Sequence, residues 1–269
     1  MKKRILIGEE SFERIIEGDY YYVDKTLFIK ELLEKRGTVT LITRPRRFGK
    51  TLTMSMLKHF FDMNTDGRHL FDGLEIMEHE DIVEKHMGKY PVVLLSMKDI
   101  EESTYEKSLR TLQNLVSNIY QENLYIYESD ALNNMQKEVF YSFFMRKAPE
   151  EDLREALKFL TTCLRAYHKK RVVVLMDEYD VPINNAYRKG FYTEMIDFMR
   201  GFMGSVFKTN DHLEFGVATG VCAADIAGEP VQQLQQPQSM RGHGRGVLVK
   251  HRLYGGGGDR RLQGVWARG

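Results

Sequence analysis

The most constraining feature of the chain is a short apolar segment that runs into a basic, glycine-containing loop and then directly into a helical pattern. The apolar segment is VTLIT at residues 39–43, and the loop reads RPRRFGKT at residues 44–51. The residues that then recur at helical spacing are Leu52, Met54, Leu57, Phe60 and Phe61. The first segment predicts a buried strand, and the spacing after the loop predicts a helix with one apolar face. A strand joined to a helix in this way favours an α/β architecture.

Three further apolar runs have the composition of buried strands, at residues 91–96, 172–176 and 213–218. The segments between them have helical spacing, with apolar faces formed by Leu109, Leu112, Leu115, Val116 and Ile119 and by Leu153, Ala156, Leu157, Leu160 and Leu164. Parallel strands need long crossover connections, which are usually helices. The alternation therefore predicts an α/β domain with a mostly parallel sheet.

The loop at residues 44–51 has the chemistry of a phosphate cradle. Amides at the start of a helix are unpaired and the helix dipole favours negative charge, so a triphosphate satisfies them. In such a site Gly49 allows close approach of the backbone, Lys50 reaches the β and γ phosphates, and the Thr51 hydroxyl coordinates Mg²⁺. The segment predicted to bind ATP comprises Arg44, Pro45, Arg46, Arg47, Phe48, Gly49, Lys50, Thr51 and Leu52.

The loop departs from the usual G-x-x-x-x-G-K-[ST] pattern, because Arg44 occupies the position of the first glycine. A bare Gly-Lys-Thr is a common tripeptide, and it is equally compatible with an ordinary helix start beside a solvated arginine turn. The interpretation as a phosphate loop therefore depends on a second motif.

That second motif is the acidic run DEYD at residues 177–180, which directly follows the strand predicted over residues 172–176. In the Walker B arrangement a strand-end aspartate holds Mg²⁺, usually through water, and the next glutamate polarises the attacking water. A solvated strand end or a helix cap would explain the acidic run by itself. Together with the phosphate loop, the run favours Asp177 as a metal ligand and Glu178 as a catalytic residue beside Lys50.

The strand predicted over residues 213–218 ends at Thr219 and Gly220. Related NTPases place a polar residue that senses the γ phosphate at this point, which makes Thr219 a third candidate catalytic residue. A simple turn at the strand end explains the same residue equally well. Taken together, the motifs predict a P-loop NTPase fold, which is a three-layer α/β sandwich with a mostly parallel sheet; the resemblance described below makes it AAA-like.

The overall composition narrows the choice of partners and compartment. Lysine plus arginine (39) nearly balances aspartate plus glutamate (38), so net charge gives no argument for a nucleic-acid or membrane partner. Two cysteines are too few for a disulfide framework or a zinc site, and no apolar run approaches the length of a membrane span. The composition predicts a cytoplasmic protein and leaves its oligomeric state open.

The character of the chain changes near Val221. Residues 221–269 hold 10 of the 22 glycines and 6 glutamines but no phenylalanine, so they have little apolar surface to bury. Their seven basic and three acidic side chains also make this stretch basic. We therefore predict an NTPase domain over residues 1–220 and a Gly/Gln/Arg-rich tail over residues 221–269, which is either disordered or read out of frame.

Three segments together carry a family resemblance, namely YYYVDKT at residues 20–26, ITRPRRFGKT at 42–51 and LMDEYDVPI at 175–183. Over about residues 5–220 the chain resembles the bacterial and archaeal AAA-ATPase-like family, which has RPRRFGKT as its own form of the phosphate loop. The resemblance implies binding of ATP with Mg²⁺ by this loop. It also implies that residues 22–26 lie near the nucleotide, with Asp24 capping the following helix, although packing explains the tyrosines equally well.

Members of that family often carry a PD-(D/E)XK nuclease-like domain after the ATPase domain. Similar proteins continue beyond position 220 with Leu-Arg and a serine-rich segment, whereas this chain enters its Gln/Gly/Arg stretch. The departure favours a reading-frame shift or a misjoined gene model near Val221, and hence a domain that is incomplete at its carboxy terminus. A protein or nucleic-acid partner would then act through the missing domain.

Mg²⁺-dependent ATP hydrolysis that drives a conformational change is the leading functional prediction. One alternative is a nucleotide-binding switch with little hydrolysis, because truncation removes groups that complete the transition state. Another is the remnant of an ATPase-nuclease fusion that acts on nucleic acid, although the chain has no convincing Asp…Glu-x-Lys constellation. A P-loop kinase would use Lys50 and Thr51 in the same way, but an acidic pair after a long apolar strand suits water activation better.

Overall fold

The computed structural model of the protein describes residues 3–6, 8–35, 37–45, 48–208 and 210–221. These residues contain four strands: β1 (Val39–Thr43), β2 (Val92–Ser96), β3 (Val172–Asp177) and β4 (Leu213–Gly220). Every neighbouring pair is parallel, and the order across the sheet is β1-β4-β3-β2. The prediction of a mostly parallel α/β sheet is confirmed, and each predicted strand is present.

Helices connect and cover the strands throughout the described part of the chain. Two short 3₁₀ turns lie at Arg68–Phe71 and Glu75–Glu78. The α-helices are α1 (Phe12–Glu17), α2 (Leu27–Glu34), α3 (Lys50–Phe61), α4 (Glu80–His86), α5 (Tyr105–Glu122), α6 (Leu124–Glu128), α7 (Asn134–Phe144), α8 (Glu150–Leu153), α9 (Ala156–His168), α10 (Val181–Lys189) and α11 (Tyr192–Phe207).

The sheet lies between two apolar cores, because alternate side chains of β3 pack into different cores. All six residues of β3 are buried. Val173 and Leu175 pack into the core formed by α1 to α4, whereas Val172, Val174 and Met176 pack into the core formed mainly by α5, α7 and α9 to α11. Alternate residues of a strand point to opposite faces of its sheet, so the continuous apolar run of β3 follows from coverage on both sides. The predicted three-layer sandwich is therefore confirmed.

The register of the sheet brings the ends of its strands to one edge. Thr43 at the end of β1 is opposite Gly220 of β4, and Ser96 at the end of β2 is opposite Asp177 of β3. Because all four strands run in the same direction, their carboxyl ends share this edge, where open α/β sheets usually bind ligands. The loop that leads from β1 into α3 starts at the same edge.

The predicted tail follows the last strand of this sheet. Apart from Val221, the predicted tail lies outside the described residues, as does Cys222.

Cys163 is fully buried, and burial raises the pKa of its thiol to about 12. Among the helices of the described segments, none is both long enough and apolar enough to cross a membrane.

Candidate functional site

Lys50, the first residue of α3, bonds back to the residues that follow β1. Gly49 precedes the helix with φ 74° and ψ 27°, a left-handed conformation that glycine adopts without a Cβ penalty. Lys50 is 5% exposed, and its Nζ donates hydrogen bonds to the carbonyl oxygens of Arg44 at 3.1 Å and Pro45 at 3.3 Å. The ammonium group is thus held against the backbone that directly follows β1.

The other predicted residues of this loop have varied surroundings. The backbone N–H of Arg44 donates to the carbonyl oxygen of Gly220 at 3.2 Å, which links the end of β1 to the end of β4. Its side-chain Nε is buried and has no hydrogen-bond partner among the described residues. Pro45 and Phe48 are exposed, and Leu52 is partly buried against the core of α1 to α4. Arg46 and Arg47 lie outside the described residues.

The carboxylate of Asp177 lies at the end of β3 and is 1% exposed. Thr219 of the neighbouring strand donates a hydrogen bond from its hydroxyl to Asp177 Oδ1. The second carboxylate oxygen, Oδ2, is buried and has no hydrogen-bond partner within the described part of the chain. A buried carboxylate is costly without compensation, so an oxygen left in this state is suited to a cation or a donor from a ligand.

Asp177 and the start of α3 face the same small pocket. The pocket has a volume of about 290 Å³, and its lining includes Thr51, Ser96 and Asp177. The Ser96 hydroxyl is also buried without a hydrogen-bond partner among the described residues. The structure therefore brings together the two predicted metal ligands, Thr51 and Asp177, and adds a hydroxyl that the sequence interpretation did not include.

These oxygen donors fit the chemistry of Mg²⁺. Mg²⁺ prefers hydroxyl, carboxylate, water and phosphate oxygens, and it is commonly held by one or two carboxylates plus the phosphates of a substrate. In the described segments no group of three or more His, Cys, Asp or Glu side chains is arranged to hold a metal ion by itself. A cation here would accordingly depend on oxygens from water and a bound phosphate as well as on Thr51 and Asp177.

Glu178 follows Asp177 in an unusual backbone conformation. Its φ is 53°, in the left-handed region that costs a residue with a Cβ about 1–2 kcal/mol. Its backbone N–H donates to the hydroxyl oxygen of Thr219 at 3.3 Å, and the next N–H, of Tyr179, donates to the Thr219 carbonyl oxygen at 3.1 Å. Thr219 therefore holds both the carboxylate of Asp177 and the backbone that turns away after it.

In the tyrosine-rich segment before α2, Tyr22 packs against side chains of α1 and α3. The Tyr22 ring is 5.4 Å from the Phe12 ring in an edge-on arrangement, and its hydroxyl lies 3.5 Å from Met56 Sδ. Burial raises the pKa of Tyr22 well above its usual range. The expectation that Asp24 caps α2 is wrong: its Oδ1 accepts from the N–H of Thr26, which precedes the helix, because the side chain forms a local turn instead.

A segment at the start of the chain also lines the pocket, and the sequence interpretation did not find it. Residues 9–11 contribute to the lining, and the N–H of Phe12 donates to Ser55 Oγ on α3 at 3.0 Å. Glu10 Oε2 accepts from Lys98 Nζ at 2.8 Å. This contact with Glu10 is the main cause that raises the pKa of Lys98, with smaller contributions from Asp99 and Glu178. No motif in residues 9–11 signals this placement.

Two comparisons with known proteins give matches to this chain. The model of the AAA-ATPase-like family, described as predicted AAA-ATPase, matches residues 6–228. A relative from Azotobacter chroococcum mcd 1, described as an uncharacterized protein in the vnfD 5′ region, is 32% identical over 222 residues. That alignment covers 82% of this chain but 37% of the relative, so the chain spans little more than a third of the relative's length. No solved structure gives a significant match.

The family match covers the predicted phosphate loop, the acidic strand end at Asp177 and the whole parallel sheet of the described residues. From this match, and from a fold with its loop and acidic residues at one sheet edge, we conclude that the chain belongs to the AAA-ATPase-like family.

Proposed function

We propose that this chain binds ATP with Mg²⁺ at the loop of residues 44–51 and hydrolyses it with the help of Glu178. The observation that carries the proposal is the pocket shared by Thr51 and Asp177, in which a buried carboxylate oxygen of Asp177 has no hydrogen-bond partner among the described residues. A phosphate-bound Mg²⁺ would supply the missing positive partner. The phosphate loop and the acidic strand end then act on one ligand.

Each residue has a role that follows from its position. Lys50 exchanges the carbonyl oxygens of Arg44 and Pro45 for oxygens of the β and γ phosphates, and the amides at the start of α3 bind the same phosphate chain. Thr51 and Asp177 hold Mg²⁺, which neutralises charge that develops on the phosphates. Glu178, fixed by the bond from its amide to Thr219, orients and polarises the attacking water.

Binding is tested with Lys50→Ala and a matched lysine on the same helix. Calorimetry with Mg²⁺-ATP is expected to show micromolar or tighter binding for wild type and loss of that binding in Lys50→Ala. Lys58→Ala, more than two helical turns farther along α3, serves as the control and should bind like wild type. Unchanged affinity in Lys50→Ala would exclude Lys50 as a phosphate ligand.

Hydrolysis is tested with Glu178→Gln, which keeps the size of the side chain and removes its charge. Steady-state phosphate release should fall by about 10²-fold or more, the scale of general acid–base contributions, while ATP affinity is retained. If wild type and Glu178→Gln release phosphate at the same rate and both bind ATP, the proposal of hydrolysis is wrong and the nucleotide-binding switch is favoured.

The hydrogen bonds of Thr219 favour the alternative function, a nucleotide-binding switch with little hydrolysis. Its hydroxyl donates to Asp177 and accepts from the Glu178 amide, so the only hydrogen that it could donate to a γ phosphate is already used inside the protein. That arrangement favours a structural role for Thr219 over sensing of the γ phosphate. A domain that binds ATP but lacks a γ-phosphate sensor would exchange nucleotide with little turnover.

Action on nucleic acid has less support. The basic stretch that suggested it lies beyond Val221, outside the described residues. A partner that responds to the nucleotide state remains part of the proposal, because ATPases of this general class couple hydrolysis to conformational change.

A further inference from the structure

Lys25, which lies between α1 and α2, reaches the phosphate loop from outside it. A Cβ placed on Gly49 would lie 3.5 Å from Lys25 Nζ, so the ammonium group is next to the backbone on which α3 begins. Lys25 is 24 positions before Gly49 in the chain and belongs to neither motif that defines the candidate site. Its position therefore results from tertiary structure and not from the loop itself.

The residues on either side of Lys25 fix this position. Asp24 Oδ1 accepts hydrogen bonds from the N–H and the hydroxyl of Thr26, at 2.8 and 2.7 Å. Asp24 Oδ2 accepts from the N–H of Glu75 at 2.8 Å, and Thr26 Oγ1 accepts from the N–H of Ile76 at 3.1 Å. These bonds attach the turn to the 3₁₀ segment before α4 on both sides of Lys25. The lysine is thus presented from a fixed backbone, which lowers the entropy that a ligand contact would cost.

The charges around Lys25 have the wrong sign for a structural ion pair. Neither Lys25 nor Lys50 pairs with a carboxylate among the described residues. Partial desolvation lowers the pKa of Lys25, and the positive charge of Arg44 lowers it further. Among the described residues, Lys25, Arg44 and Lys50 therefore gather at the start of one helix, whose dipole also repels positive charge. Such a cluster is stabilised when an anion binds.

We propose that Lys25 is a second phosphate-binding cation of the site, which contacts the polyphosphate chain of the nucleotide beside Lys50. The inference rests on the proposed function, since it assigns a further ligand to the same phosphate loop. Asp24 and Thr26 act as positioning residues for it. The pattern Asp-Lys-Thr at residues 24–26 then has a physical reason: two residues fix the turn and the middle one binds phosphate.

The test compares Lys25→Met with Lys30→Met. Lys30 is a lysine of the adjoining α2 that lies 3.9 Å from Glu34, and it serves as the matched control. Calorimetry with Mg²⁺-ATP, Mg²⁺-ADP, AMP and inorganic tripolyphosphate measures how affinity depends on the number of phosphates. Lys25→Met should weaken binding of ATP and tripolyphosphate by about ten- to a hundredfold, the range for charge-assisted hydrogen bonds, and leave AMP much less affected. Lys30→Met should match wild type throughout.

Thermal unfolding without ligand provides a second readout that separates binding from structure. Removal of one cation from this cluster should leave the Tm of ligand-free Lys25→Met unchanged or raise it, while the increase produced by Mg²⁺-ATP becomes smaller. A lower ligand-free Tm together with equal loss of affinity for all four ligands would assign Lys25 a structural role and overturn the inference.

The outcomes also separate this inference from the function on which it rests. If wild type binds ATP, Lys50→Ala does not, and Lys25→Met binds like wild type, the Lys25 inference fails and the proposed function stands. If wild type binds neither ATP nor tripolyphosphate, both fail.

Discussion

The hydroxyl of Thr219 on β4 donates a hydrogen bond to the carboxylate of Asp177 on β3, and both residues are almost fully buried. The same hydroxyl accepts from the Glu178 amide. Thr219 therefore connects β4, which lies between β1 and β3, to the predicted metal ligand Asp177 and to the predicted catalytic residue Glu178.

Replacement of Thr219 by valine, which has the same shape, should destabilise the ligand-free protein by about 1.5–3 kcal/mol. The change leaves the buried Asp177 carboxylate without its donor and the Glu178 amide without its acceptor. Urea denaturation gives the difference in free energy of unfolding. Thr219→Ser keeps the hydroxyl and should recover most of the loss; equal destabilisation by serine and valine would contradict this, because the lost methyl group would then cost as much as the lost hydrogen bonds.

Gly49→Ala should lower both stability and ATP affinity. An alanine at φ 74° costs about 1–2 kcal/mol, and its Cβ would also contact the Lys25 ammonium group. Gly204→Ala is a matched control inside α11, where a Cβ meets nothing within 4 Å. Because alanine is the better helix former, this control should stabilise the protein by up to about 1 kcal/mol. Opposite signs in chemical denaturation are expected, and the same sign would refute the conformation assigned to Gly49.

Ser96→Ala should be neutral or slightly stabilising, in contrast to most changes of a serine with a buried hydroxyl. The Ser96 hydroxyl has no hydrogen-bond partner among the described residues, so its removal relieves a desolvated group. Ser108→Ala is the comparison, because Ser108 Oγ donates to the Thr104 carbonyl oxygen at 3.1 Å and its loss should cost about 1 kcal/mol. Unfolding free energies in urea measure both. A larger loss for Ser96→Ala than for Ser108→Ala would contradict this prediction.

The histidine at the end of α4 should make stability depend on pH. Desolvation lowers the pKa of His86 below its usual 6.5, and Lys85 lowers it further, while the ring bonds the Tyr90 hydroxyl at 2.7 Å. Below pH 6.5 the unfolded chain therefore binds a proton more readily than the folded protein does. The stabilisation from neutral His86 is full above pH 6.5 and is lost as pH falls through the lowered pKa.

Wild type and His86→Gln are compared by denaturation at pH 7.5 and pH 5.5. The wild-type free energy of unfolding should fall more between these values than that of the variant, which has no group to protonate. His59, His168 and His212 also have lowered pKa values and supply a background slope common to both proteins. Identical pH dependence in the two proteins would remove His86 as a contributor.

The strands and the two motifs could be predicted because their signals are local. β1 and β3 are apolar runs of β-branched and aliphatic residues, and the basic and acidic residues that follow them are adjacent in sequence. The bond between Thr219 and Asp177 was not predictable, because it depends on β4 lying beside β3, and strand order is a tertiary property. The left-handed conformation of Glu178 has no sequence signal either, since glutamate rarely adopts it.

The contributions of Ser96 and the segment 9–11 were missed for a related reason, and Lys25 was expected near the nucleotide only through the family resemblance of residues 20–26, with no role of its own. Each reaches the site from an element without a phosphate-binding or acidic pattern, and its importance arises from what it contacts. Asp24 shows the opposite error: an aspartate shortly before a helix suggested a cap, but its side chain forms a turn with Thr26 and binds the N–H of Glu75. Short polar side chains have several local partners, and sequence spacing alone does not choose among them.

The bonds from Lys50 to the carbonyl oxygens of Arg44 and Pro45 also have a kinetic consequence. A nucleotide has to replace these two acceptors, so the loop acts as an intramolecular competitor of its own ligand. The competitor lowers the net affinity, and under the proposed function it would recapture the ammonium group as product leaves. Release of ADP would then be assisted by the same two carbonyl oxygens, which suits an enzyme that must turn over more than a protein that must retain its ligand.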